Sequence, residues 1–447
     1  MKRREFIKKS ALTTAGALVA PYILPSGRLF ASSGSRSAEH VVLVMFAGGV
    51  RHQESVGMRY LDDSQVGDPY AGNIMYNMLT GDAPTMKIAY GTGEGGANPI
   101  PRLDYFNTNG SLQSQGTLFS EVNALTQGHY GGLNSIIQGA NISSQGLKQR
   151  PYNPTIFEYL RRHGGYGATD VWFVGNGIDA SIPLLNYSAH PDYGQKYGAN
   201  FFAPLVTFFE GFDSLGHGKI YHPENELAPM YRLKAFLDNS FLQYGNGLDA
   251  LGNTAEEKQQ IKQFMNLMYE KVANWTLNLP PVSDTVDCYT VGFAAEVMTH
   301  FKPAFMCVNL SDVDVCHSNF TGYVSALHRA DHAVGHLWNV IQSDPELAGN
   351  TSIICIPEHG RNDNPNNIID TNNWSAYDHS DGSNSLRIWS LMAGPSFPQN
   401  LTIGSQGNTI GQVTDAMLTV ADMLGIKNEV IGAGFLEGGT NSFLDLI

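Results

Sequence analysis

Long hydrophobic runs are missing from this 447-residue chain. The one uncharged apolar stretch near helix length, Ala11 to Pro25, falls short of the ~20 residues needed to span a bilayer, and it lies directly behind a basic N-terminus. It therefore reads as a targeting segment, and no membrane anchor is expected in the processed protein. Charge is also scarce, at 15% of residues, and cations are scarcer: 27 Lys and Arg stand against 41 Asp and Glu, a net charge of −14. Such a surface repels nucleic acid and anionic lipid, so neither is an expected partner. Only four cysteines occur, Cys288, Cys307, Cys316 and Cys355, and no pair has the spacing of a metal knuckle. Two of them sit inside apolar runs, which favours buried thiols over a disulfide framework. The 48 glycines follow no short period, which excludes fibrous and repeat architectures, and a hydrophobic content of 42% excludes disorder.

What is present begins with Lys2-Arg3-Arg4-Glu5-Phe6-Ile7-Lys8, paired arginines ahead of a hydrophobic pair and a lysine. This is the pattern of a twin-arginine export signal, with the twin-arginine export machinery as its partner and a periplasmic or secreted destination. Pro21 and Pro25 break the apolar stretch where a signal would end, and Leu29-Phe30-Ala31 offers a small residue for cleavage. Removal of residues 1–31 would leave 21 basic and 40 acidic side chains, so the mature protein is expected to be still more acidic.

From residue 40 onward, short apolar runs are each followed at once by glycine or by chemically capable residues. Val41 to Ala47 leads into Gly48-Gly49-Val50-Arg51, Val171 to Val174 into Gly175-Asn176-Gly177, Phe305 to Leu310 into Ser311-Asp312, and Ile353 to Pro357 into Glu358-His359-Gly360. Continuous apolar runs suit strands buried on both faces of a parallel sheet, whose carboxyl ends collect ligand sites. Helices are expected after Asn153-Pro154-Thr155, from Gly322 to about Ile341, near Gln412 to Leu424, and over Thr254 to Leu277. The expected fold is α/β: a three-layer sandwich with a mostly parallel central sheet over residues 40–447, in which 178–291 form an inserted cap.

In this order the motifs resemble the alkaline phosphatase superfamily, which includes nucleotide pyrophosphatases, sulfatases and phosphopentomutases. The resemblance rests on the Gly-Arg loop after the first strand, the stretch from Thr126 to Gly139, Pro154-Thr155-Ile156-Phe157-Glu158, the loop from Asp312 to His317, Glu358-His359-Gly360, and His379 ahead of Leu386 to Pro395. It implies one or two divalent ions per chain, with Zn²⁺ expected first and Mn²⁺ or Mg²⁺ as alternatives. It assigns Asp312, His317 and His379 to one ion, and Glu358 and His359 to a second. Thr126 becomes the nucleophile, with Ser120 and Ser135 as weaker choices. Arg51 becomes a substrate contact, and His129 a ligand, a substrate contact or a structural histidine.

The chain departs from the family at Gly48, where a metal-binding Asp is expected. His52 or Glu54 is the nearest replacement, and without one the second ion should bind more weakly. Glu358, for the family's Asp, lengthens that ligand by one methylene. No Cys or Ser stands in the Pro-x-Arg context of a sulfatase's modified nucleophile, which favours phosphate esters over sulfate esters. The implied activity is metal-dependent hydrolysis of a small anionic ester. The alternative is a metal- or carbohydrate-binding protein on the same fold without turnover.

One helix carries His328, His332 and His336 at four-residue spacing. They fall away from the apolar series Val324, Leu327, Val334, Trp338 and Ile341, so solvated histidines are expected rather than a metal site. Asp331 falls on that series and is expected to be buried and hydrogen-bonded.

Overall fold

The computed structural model describes residues 22–23, 29–30, 35–61, 70–82, 102–142, 150–176, 184–204, 208 and 246–447. The export signal lies almost entirely outside the described residues, as does much of 178–291. The central sheet contains β1 (His40–Phe46), β2 (Gly116–Asn123), β3 (Val171–Gly175), β4 (Asn200–Phe202), β5 (Phe305–Leu310), β6 (Thr351–Pro357), β7 (Arg387–Ala393) and β8 (Leu401–Ile403). Their order across the sheet is β8-β2-β7-β6-β1-β5-β3-β4. Every neighbouring pair is parallel except those made by β7, which runs antiparallel to both β6 and β2. The sheet is therefore mostly parallel, as the unbroken apolar runs predict.

All seven residues of β1 are buried. Val42, Val44 and Phe46 face one core, shared with α4 (Val286–Phe301) and α5 (Phe320–Ser343). Val41, Leu43 and Met45 face a second core, shared with α1 (His129–Gln138), α2 (Ile156–His163) and α6 (Asp415–Met423). Alternate side chains of one strand thus enter two helical layers, which makes the three-layer sandwich. Local signals agree with this. Thr155 caps α2 in a reciprocal box with Glu158, and Thr254 does the same with Glu257 for α3 (Ala255–Ala273).

Two expectations change. Within 178–291, Asn200–Phe202 pairs in parallel with β3 and belongs to the central sheet rather than to a cap; three residues are too few to show a strand period. His328, His332 and His336 are buried, not solvated. The backbone around Ile74 and around Asn278 to Val282 covers the face they occupy. His328 Nδ1 donates to Ile74 O at 2.7 Å, His332 Nε2 accepts from the Val282 amide at 3.4 Å, and His336 Nε2 donates to Asn278 O at 3.0 Å. Asp331 is fully buried, as expected, and accepts from the Asn77 amide, Asn77 Nδ2 and the Met78 amide.

Candidate metal centre

Three connections at the carboxyl ends of parallel strands bring imidazoles and carboxylates together. The turn after β5, Asp312–His317, supplies Asp314 and His317, and the residues after β6 supply Glu358 and His359. His129 is the first residue of α1, which follows β2, and His379 lies in the long connection from β6 to β7. Ligand atoms of His129, Asp314, His317 and His379 all lie within 4.8 Å of one another, as do those of His129, Glu358 and His359. His317 Nε2 and His379 Nε2 are 3.0 Å apart, and His359 Nε2 and His129 Nδ1 are 3.1 Å apart.

Neighbours outside these groups set the direction of the lone pairs. His317 Nδ1 donates to Asp378 Oδ1 at 2.7 Å and His359 Nδ1 donates to Gly360 O at 2.8 Å, so each ring turns Nε2 into the centre. Glu358 Oε1 accepts from His129 Nδ1 at 2.7 Å and from the Gly48 amide at 2.5 Å. Its Oε2 is buried and has no hydrogen-bond partner among the described residues. A buried carboxylate whose Oε1 lies among convergent imidazoles and whose Oε2 is orphaned is a costly arrangement unless a cation completes it. The donor set, four imidazoles and two carboxylates, fits a divalent ion such as Zn²⁺.

The electrostatics agree with this crowding. Burial, reinforced by His359 and His129, pushes the His379 imidazole down to about 2. Burial likewise lowers His359 despite Glu358. His129 is the exception: burial opposes its charge, but Glu358 and Asp314 overcome that and raise it. Burial works against the Glu358 carboxylate, yet His129 and His359 hold it down to about 2. Asp314 is likewise held well below the usual carboxylate range, against burial, by His317, His129 and Arg361.

The structure redistributes several roles expected from the sequence. Asp314, not Asp312, is the carboxylate of the turn that faces the histidines. Asp312 turns toward the start of α4, where its Oδ2 accepts from the Asp287 amide at 2.8 Å while Asp287 accepts from the Ser311 and Asp312 amides. The Asp312 carboxylate is thus spent on capping a helix.

Arg51 is fully buried, with its guanidinium paired to both oxygens of Glu54 and stacked on Tyr377 at 3.7 Å. That arrangement leaves neither Arg51 as a surface contact for substrate nor Glu54 as a spare ligand. His52 is directed at Ser120 O and Glu121. The cation placed at the centre is Arg361, directly after Glu358-His359-Gly360. It donates to Asp314 Oδ1 at 3.1 Å and to the carbonyls of Gly48, Gly49 and Tyr377, so it ties three loops together. Its position next to the motif was the available signal, but nothing in the sequence marks that arginine as buried.

Gly48 has φ +103°, and a Cβ there would lie 2.6 Å from Asp314 Cβ. Asp314 therefore fills the space that a side chain at Gly48 would need. Gly49, at φ +81°, gives the same clearance to the His359 ring, which a Cβ would approach to 2.3 Å.

Thr126 sits in the loop between β2 and α1, half-buried, after Leu125 in the left-handed backbone region at φ +63°. Its Oγ1 accepts from the Gly128 amide at 3.3 Å, and Gly128 rather than Thr126 is the residue before α1. No hydrogen bond among the described residues joins Thr126 to the histidines.

No protein-family model matches the chain, and no curated protein matches it in sequence. Solved structures do. A protein in the alkaline phosphatase superfamily from Vibrio parahaemolyticus is 12% identical with a TM-score of 0.38, over 95% of this chain and 76% of that one. The lipoteichoic acid synthase LtaP from Listeria monocytogenes is 11% identical with a TM-score of 0.39, over 92% and 78%. A sulfatase from Pseudoalteromonas sp. is 10% identical with a TM-score of 0.40, over 88% and 68%. This chain is similar to proteins of the alkaline phosphatase superfamily. At these identities and TM-scores the similarity assigns no residue a role.

Proposed function

We propose that the protein is a metal-dependent hydrolase of small anionic esters, phosphate mono- or diesters first and sulfate esters second. The observation that supports this most is the convergence of His129, Asp314, His317, Glu358, His359 and His379 at the carboxyl ends of the parallel strands. A divalent ion held there, Zn²⁺ by preference with Mn²⁺ or Mg²⁺ as alternatives, would supply Lewis acidity and neutralise developing charge. The chain's own groups do the rest. Asp378 and the Gly360 carbonyl orient His317 and His359, and Arg361 holds Asp314. The N-terminus of α1 adds a positive dipole end for an anionic substrate. Thr126 Oγ1, over the start of that helix, is the proposed nucleophile.

The test removes metal with a chelator, restores Zn²⁺, Mn²⁺ or Mg²⁺, and measures turnover of chromogenic monoesters, diesters and sulfate esters. Turnover is expected to need metal, to survive Thr126→Ser and to fall at least a hundredfold in Thr126→Val with metal content unchanged. Full activity in Thr126→Val would remove that residue from the chemistry. Metal binding without turnover on any ester would favour the second reading, a binding protein without catalysis, which the absence of a hydrogen bond from Thr126 to the histidines among the described residues supports. The proposed periplasmic or secreted location is tested separately: Arg3→Lys with Arg4→Lys should leave the precursor in the cell, and normal export would refute a twin-arginine route.

A further inference from the structure

One imidazole belongs to both ligand groups. His129 directs Nδ1 at Glu358 Oε1, 2.7 Å away, and at His359 Nε2, 3.1 Å away; it directs Nε2 at Asp314 Oδ1, 3.3 Å away. Its ring centroid lies 4.6 Å from that of His379 and 5.0 Å from that of His359. The side chain therefore stands between the groups, with one nitrogen toward each. A neutral imidazole has a single lone pair, because its other nitrogen carries hydrogen. It can complete one metal position at a time, and the nitrogen it presents to one group is lost to the other.

We propose that His129 is a shared ligand for which two metal positions compete, so that filling one weakens the other. This rests on the reading of the site as a metal centre. The four-residue group, with Asp314, His317 and His379, keeps three ligands of its own and takes the first ion together with His129. Glu358 and His359 are then left as a two-ligand position for a second ion. Its weakness comes from the shared ring, not from the absence of a carboxylate at Gly48. The placement of His129 supports the sharing: as the first residue of a helix packed against the sheet it has little freedom to withdraw, and Gly132, one turn along, packs close against the backbone of Glu358.

Competition for one ring makes a prediction that independent sites do not. In wild type, calorimetric titration of the metal-free full chain with Zn²⁺ should show two steps separated by at least a hundredfold in affinity. His317→Ala disables the first position and frees His129 for Glu358 and His359. The single ion bound by that variant should therefore bind at least tenfold more tightly than the second ion of wild type. His379→Ala should behave in the same way, which guards against one variant failing to fold, and near-ultraviolet circular dichroism checks the fold of each. His129→Ala should weaken the tight step, and in that background His317→Ala should no longer improve the remaining position.

Cobalt substitution gives a second readout, since the visible spectrum of the first equivalent should change when the second is added. Two equally tight ions in wild type would overturn the proposal while leaving the hydrolase reading intact, as would a second-ion affinity that His317→Ala and His379→Ala do not improve. Absence of any metal binding would overturn both.

Discussion

Placing a side chain at Gly48 should damage the centre rather than complete it. On resemblance alone, Gly48→Asp restores a missing carboxylate and strengthens a second ion. In the structure, a Cβ at that position would lie 2.6 Å from Asp314 Cβ, 2.6 Å from Asp314 N and 2.7 Å from Asp314 Cα, on a backbone at φ +103°. Two of those three atoms are backbone, so no rotamer change relieves the clash. Left-handed or more extreme backbone at a residue other than glycine costs about 1–3 kcal/mol. Overpacking a filled interior adds about 1–3 kcal/mol. Gly48→Ala, the minimal form of the change, should therefore lose roughly 2–6 kcal/mol of stability by these two principles. Gly48→Asp should lose at least as much.

Relief by moving Asp314 would break its contacts with Arg361 and His129, and so reduce affinity for the first ion by about tenfold or more, the scale seen when a metal site's supporting contacts are removed. Urea unfolding of the chelated protein gives the stability term, and metal titration gives the other. A Gly48→Ala protein within 0.5 kcal/mol of wild type by unfolding, with unchanged metal affinity, would refute the claim that Asp314 occupies this space.

The two aspartates of the turn separate cleanly: Asp314→Ala should lower metal affinity at least tenfold, whereas Asp312→Ala should keep metal content while lowering the unfolding midpoint through loss of its contact with α4. The reverse pattern would restore the assignment expected from the sequence. Burial pushes His328 down to about 3 and His332 down to about 4, so both stay neutral in the fold while their unfolded counterparts protonate below about 6.5. Their stabilisation is complete above pH 6.5 and is lost as pH falls toward 3–4, at about 1.4 kcal/mol per pH unit for each ring. Asp331, raised to about 7 by burial, works in the opposite sense between pH 7 and 3.8, so the wild-type slope is a sum. Unfolding of wild type and His332→Gln at several pH values isolates one ring, and His332→Gln should show the flatter loss; equal slopes below pH 6 would mean that His332 is accessible to protons in the folded state.

The sequence by itself determined the four adjacent strands β6, β1, β5 and β3, the helices α2, α3, α5 and α6, and the neighbourhood of the site. Runs such as Val41 to Ala47 and Phe305 to Leu310 have too little polarity to face water on either side, so burial between two helical layers was implied by composition alone. Asn153-Pro154-Thr155 marked the start of α2 because capping is a local interaction, and the boxes of Thr155 with Glu158 and Thr254 with Glu257 appear in the structure. Glu358 and His359 stand directly after a buried strand, where a parallel sheet collects ligand sites, whereas His317 and His379 were expected only through the resemblance to the alkaline phosphatase superfamily.

Choices between neighbours were settled only in three dimensions. Asp312 and Asp314 are two residues apart in one turn, and which of them faces the histidines depends on α4, whose Asp287 amide claims Asp312. Arg51 and Arg361 both lie in glycine-containing loops after buried strands, yet Glu54 claims the first and the loop carbonyls and Asp314 claim the second. The three histidines of α5 lie off its apolar series, and they are buried because the segments around Ile74 and Asn278 cover them. His129 acquires a place in both ligand groups only when α1 packs beside Glu358. Hydrophobic period and capping are properties of a segment, whereas the partner of a buried polar group is set by whichever distant segment folds against it.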